Sequence, residues 1–78
     1  MGSEQTHRAG VSDVWRRIEQ LRKLLGWRQE DLAMRMQMSR GSIANIELGR
    51  QRILLDDVEK FATVFQTTPR NLMKGIWL

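Results

Sequence analysis

The residues of this 78-residue sequence that could do chemistry are few, and most of them are basic. With no cysteine there is no disulfide, no thiol nucleophile and no cysteine-ligated zinc. The single histidine, His7, sits in a polar, aperiodic stretch that offers no fixed geometry for acid–base work or a metal. Asp56 and Asp57 are adjacent, so a helix would turn them to different faces, and they read as helix-start charges rather than a carboxylate dyad. A glycine loop of the phosphate-cradling kind is also missing. No catalytic, metal, cofactor or small-molecule site is legible, and the sequence does not read as an enzyme.

What remains is arginine. Thirteen Lys and Arg face nine Asp and Glu, for a net charge of +4, and ten of the thirteen are Arg. Residues 8–52 carry ten basic and five acidic side chains, whereas residues 53–78 carry three of each. Arginine's planar fork suits phosphates and guanine edges, although arginine richness also follows from genomic base composition. Position has to decide, and the stretch "MQMSRGSIANIELGR" at 36–50 supplies it. Ser39, Gly41 and Ser42 open an apolar-periodic segment that stops at Gly49 and is followed by Arg50.

Elements that position these residues follow from periodicity. Ser12 and Asp13 start a first helix carrying Val14, Ile18, Leu21 and Leu25, stopped by Gly26. A second helix runs from about Gln29 to Met36, with Glu30 and Asp31 at its positive end and Leu32, Ala33 and Met36 as its inner stripe. Ser39 caps a third, which turns Ile43 and Ile46 inward. After the basic connection RQRIL (50–54), Leu55, Val58, Phe61, Ala62 and Phe65 form a fourth face, and Thr68-Pro69 starts a short fifth helix with Leu72 and Met73, ended by Gly75. The expected fold is all-α, a compact bundle of five short helices. Residues 1–11 read as a flexible arm, 12–75 as one domain, and Ile76, Trp77 and Leu78 as an apolar tail. Met34, Met36 and Met38 read as gap-filling core and turn packing, and Trp15 and Trp27 as one packed layer.

Two short helices joined by a tight turn, the second opening on small polar residues, describe a helix-turn-helix. Positions 40, 41, 44 and 45 share the face opposite Ile43 and Ile46, so Arg40 and Asn45 point outward. A major groove admits one such helix, read from its N-terminal residues.

The run "LRKLLGWRQEDLAMRMQMSRGSIANIELGR" resembles the phage Cro and repressor helix-turn-helix family. Gly26, Gln29, Leu32, Ala33, Ser39, Ile43, Glu47 and Gly49 match its pattern, and the resemblance covers about residues 14–74. It implies a sequence-specific regulator binding double-stranded DNA, with Arg40, Gly41 and Asn45 on base-reading positions and Ala44 against a thymine methyl. It places Gln29, Ser42 and Arg50 at the phosphate backbone, to which Ser39, Arg28 and Arg52 are added on position and charge. Arg22 and Glu47 match a pair that in many members forms a partly buried salt bridge, a structural rather than a DNA-reading role. Three residues depart from the pattern, one of them Gly41, which brings no side chain to a base-reading position. Arg28 replaces the usual Ser, Thr or Asn cap of the second helix, and Gln37 stands where the turn usually has glycine, which implies positive φ on a residue with a Cβ.

One helix reads only a few base pairs, so a homodimer gripping a palindromic site is expected, with Ile76, Trp77 and Leu78 as the candidate interface. No apolar stretch approaches the roughly 20 residues that cross a membrane, and no signal peptide is visible, so a cytoplasmic repressor is the expectation. The competing reading is an antitoxin or co-regulator whose helical domain mainly binds a protein partner.

Overall fold

A computed structural model describes residues 14–75; the expected cap at Ser12, the arm with His7, and the tail Ile76, Trp77 and Leu78 lie outside the described residues. Every regular element among the described residues is a helix: α1 (Val14–Leu24), α2 (Gln29–Met36), α3 (Arg40–Glu47), α4 (Leu55–Val64) and α5 (Pro69–Lys74). α2 packs on α3, α1 on α3 and α5, and α4 on α5 and α2.

The helical periodicity of the sequence becomes one core. Val14, Ile18 and Leu21 come from α1, Leu32, Ala33 and Met36 from α2, Ile43 and Ile46 from α3, Val58, Phe61 and Ala62 from α4, and Leu72 from α5. Side chains three, four and seven apart share a helix face, so each helix contributes one stripe and together the stripes exclude water. A second layer covers the α1–α2 connection: Trp27 stacks on Phe65 at 5.8 Å, Phe65 on Phe61 at 6.3 Å, and the Arg35 guanidinium lies 4.1 Å above the Trp27 ring. Trp15 belongs elsewhere, beneath the loop that follows α3, where a Cβ at Gly49 would lie 3.2 Å from its ring. The two tryptophans therefore support different loops rather than one layer.

Three residues expected inside are outside, each for a local reason. Leu25 lies one residue past the end of α1, in the turn before Gly26, where helical periodicity no longer sets its face, and it is 48% exposed. Leu55 opens α4 and is 75% exposed; side chains tilt toward a helix N-terminus, so at the first position it overhangs the connection instead of the core. Met34, 76% exposed, lies about 200° around α2 from Leu32 and faces away from the inner stripe.

Caps set the helix boundaries. Thr68 Oγ1 accepts the Asn71 N–H at 3.1 Å ahead of Pro69. The Arg17 guanidinium, from α1, donates to the Leu72 and Met73 carbonyls and so satisfies the C-terminal end of α5. At the start of α2 Arg28 cannot accept a hydrogen bond through its side chain. Asp31 compensates by accepting the Arg28 backbone N–H at 2.8 Å, and that bond holds its carboxyl below the usual carboxylate range.

Candidate nucleic-acid interface

Three residues, Gln37, Met38 and Ser39, join α2 to α3. Gln37 takes the left-handed conformation (φ 58°, ψ 43°), the positive φ anticipated from the missing glycine. What holds a Cβ-bearing residue there is the closure of α2 around it: the Gln37 N–H bonds the Met34 carbonyl at 3.2 Å and the Met38 N–H bonds the Ala33 carbonyl at 2.9 Å. Ser39 then caps α3, its Oγ accepting the Ser42 N–H at 3.0 Å while its hydroxyl donates to Ser42 Oγ at 3.1 Å. Ser39 thereby spends its side chain on Ser42 at the positive end of α3, with Arg40 immediately inside it, and the Ser42 hydroxyl keeps its own hydrogen to donate.

Ile43 and Ile46 have no exposed surface, which fixes the rotation of α3. Arg40, Gly41 and Asn45 consequently face solvent, with Ala44 partly exposed between them. The four positions assigned to base reading thus form one outward strip. Gly41 is helical, and a Cβ built there would meet nothing closer than Ser39 Oγ at 3.9 Å. Nothing inside the domain requires glycine. Gly41→Ala should therefore stabilise the free protein by about 0.5–1 kcal/mol, read as a rise in the denaturation midpoint; a loss of stability would show that the backbone at 41 is constrained in a way the free space does not reveal.

The far end of α3 is shaped by Gly49 (φ 74°), which bends the chain back over Trp15. The Asn45 carbonyl accepts the N–H groups of Arg50 at 2.9 Å and Gln51 at 3.2 Å, so the start of the basic connection is tied to α3. Arg50 and Arg52 are both exposed along it. Arg28, at the start of α2, is also exposed, but its guanidinium already lies 3.4 Å from Glu30 and 3.5 Å from Asp31. A phosphate would have to compete with those carboxylates.

Behind the strip lies a buried ion pair. Arg22 and Glu47 are 8% and 4% exposed, and the guanidinium engages the carboxylate through two bonds, Nε to Oε2 at 2.7 Å and Nη2 to Oε1 at 3.0 Å. Arg22 Nη1 also donates to the Trp27 carbonyl at 2.8 Å, so one side chain ties α1 to α3 and to the α1–α2 connection. The hydrogen bonds to Glu47 raise the Arg22 pKa further above its ordinary value. Gln29, read from the sequence as a phosphate ligand, is drawn into this group. Its Nε2 donates to Glu47 Oε1 at 3.0 Å and its Oε1 accepts Arg40 Nη1 at 3.2 Å. These contacts join residues 18 and 11 positions apart, and no local sequence signal announces them.

Among the described residues no cluster of His, Cys, Asp or Glu could hold a metal ion, and no helix is long and apolar enough to cross a membrane. A helix-turn-helix family model matches residues 18–72, which takes in α2, α3 and α4 whole and parts of α1 and α5. Comparison with curated proteins and with solved structures returns no match. The caps, the buried ion pair and the outward strip on α3 are thus set in a matched segment longer than two thirds of the chain, and the protein belongs to the Cro/C1-type helix-turn-helix family of DNA-binding regulators.

Proposed function

We propose that this protein is a sequence-specific transcriptional repressor that binds a palindromic operator as a homodimer, with α3 in the major groove. The observation that carries this reading is the outward strip of Arg40, Gly41, Ala44 and Asn45 on a helix locked in rotation by Ile43 and Ile46. Arg40 offers a bidentate fork to guanine, Asn45 a donor and acceptor to adenine, and Ala44 a methyl to thymine. Gly41 lets the backbone approach the duplex. Gln29, Ser42, Arg28, Arg50 and Arg52 surround the strip as phosphate partners, and Ser39 would join them only by giving up its bond to Ser42. Two such helices about 34–36 Å apart would reach successive turns of DNA, and Ile76, Trp77 and Leu78 are the proposed contact between the copies.

Selection from a randomised duplex library tests this directly. Enrichment of an inverted repeat with half-sites one helical turn apart is expected, and a chain truncated after Gly75 should lose the repeat and keep the half-site. A single unrepeated motif would overturn the dimer. Arg50→Ala should weaken binding to all sequences alike and flatten the salt dependence by about one unit of slope; an unchanged slope would remove Arg50 from the phosphate contacts.

The reading in which the domain chiefly binds a protein also has an observation behind it. Leu54 and Leu55 are exposed beside an apolar recess of about 270 Å³ lined by Val14, Ile53, Leu55, Val58 and Met73. Failure of the library to yield any enriched sequence would favour it.

A further inference from the structure

Arg16, the third residue of α1, is exposed, and among the described residues no carboxylate lies within ion-pair distance of it. Glu19, the acidic side chain one turn further along α1, is spent on Lys23 at 3.3 Å. The Arg16 guanidinium lies instead 5.1 Å from the centre of the Trp15 ring, within cation–π range.

The same ring supports the basic connection that follows α3. A Cβ at Gly49 would lie 3.2 Å from Trp15 Cε2 and 3.5 Å from Cζ2, so the backbone there rests directly on the indole. Gly49 is exposed and Trp15 half-buried, which puts this contact at the surface rather than in the core. Arg50 follows at once, its N–H tied to the Asn45 carbonyl at 2.9 Å. One indole therefore touches the chain immediately before Arg50 and carries the Arg16 guanidinium at its ring. Through two adjacent residues, α1 reaches a connection that lies far from it in sequence.

The choice of partner matters for what Arg16 can still do. A carboxylate would occupy its N–H donors, whereas an indole accepts no conventional hydrogen bond and leaves all five free for an anion. An arginine side chain also has many rotamers to lose when a ligand immobilises it. One already held loses less on binding, an advantage of about 2- to 12-fold for one long side chain.

We propose that Trp15 and Arg16 extend the DNA-binding surface onto α1, Arg16 as a further contact to backbone phosphate and Trp15 as the positioning residue that holds it beside the start of the basic connection. This rests on the reading of that connection as phosphate-facing given above. It assigns α1 a part in affinity and none in base preference.

The test is binding to the selected duplex and to an unrelated one, each measured over a range of salt concentration. A phosphate contact contributes about 0.9 to the slope of log affinity against log salt. Arg16→Ala should weaken binding to both duplexes alike and flatten the slope by about that amount, and Arg16→Lys, which keeps the charge, should keep the slope. With Arg50→Ala added, the flattening should about double. Trp15→Leu leaves the charge in place but no longer held, and should lower affinity for both duplexes by about 2- to 12-fold at an unchanged slope. An unaltered slope in Arg16→Ala, where Arg50→Ala flattens it, overturns the α1 contact and leaves DNA binding through the connection standing. Unaltered slopes in both variants, or no DNA binding by the intact chain, overturn the two together. Loss of preference at one base position in Arg16→Ala overturns the phosphate role, and full affinity in Trp15→Leu overturns the positioning role. A measurement on the free protein needs no change at Trp15: Arg16→Ala should shift the Trp15 indole N–H NMR signal, and an unmoved signal would overturn the contact.

Discussion

Glu47→Ala should destabilise the protein by about 3–5 kcal/mol, measured as a fall in the urea denaturation midpoint at unchanged slope. The substitution removes no large apolar surface. Its cost comes from what stays behind, an Arg22 guanidinium 8% exposed and stripped of both bonds to its carboxylate, with only the Trp27 carbonyl still bonded. A domain of this size has a total stability of about 5–15 kcal/mol, so the variant should be partly unfolded under mild conditions. Replacing both partners with apolar residues of similar volume, Arg22→Met with Glu47→Leu, should recover most of the loss, since a buried pair is stabilising mainly relative to half a pair. A loss below about 1 kcal/mol in Glu47→Ala would mean that Arg22 swings into solvent and that the tie between α1 and α3 carries little.

The second large effect is on recognition. Arg40→Ala should cost about 1–3 kcal/mol at a single base position of the bound site and leave preference elsewhere intact. The expectation follows from place and chemistry together. Arg40 opens α3, where the first turn of a recognition helix meets base edges, and it projects from the strip opposite Ile43 and Ile46. Arg50, at the other end of the helix on the basic connection, has the same charge without that direction, and its loss should be felt by every sequence. The two variants therefore form a matched pair: same side chain removed, different readout. Equal losses on all sequences from both would reassign Arg40 to the phosphate backbone.

Gly41 connects stability to recognition. Its space is open and its backbone helical, so alanine there should help the folded state. If the same substitution weakens DNA binding, the glycine is retained for the approach of the duplex and at the expense of the free protein.

Much of this architecture is carried by local pattern. The positions of Ile43 and Ile46, the cap at Ser39, the proline after Thr68 and the glycines after α1, α3 and α5 depend on periodicity and terminal hydrogen bonding, which act over a few residues and can be read in order along the chain. The positive φ of Gln37 was legible through the family resemblance alone, in which glycine usually holds that turn position. Periodicity was less informative at helix ends, where it assigned Leu25 and Leu55 to the core; Leu25 lies past the last turn of α1, and Leu55 overhangs the connection that precedes α4. The separation of the two tryptophans, one stacked on Phe65 and the other under Gly49, was equally out of reach. So were the partners of Gln29. From sequence it is a polar amide at a helix start, a place that favours an anion. Only the packing of α1, α2 and α3 against one another brings its two ends to Glu47 and Arg40, and a hydrogen bond between residues distant in sequence forms solely where the assembled core places donor beside acceptor.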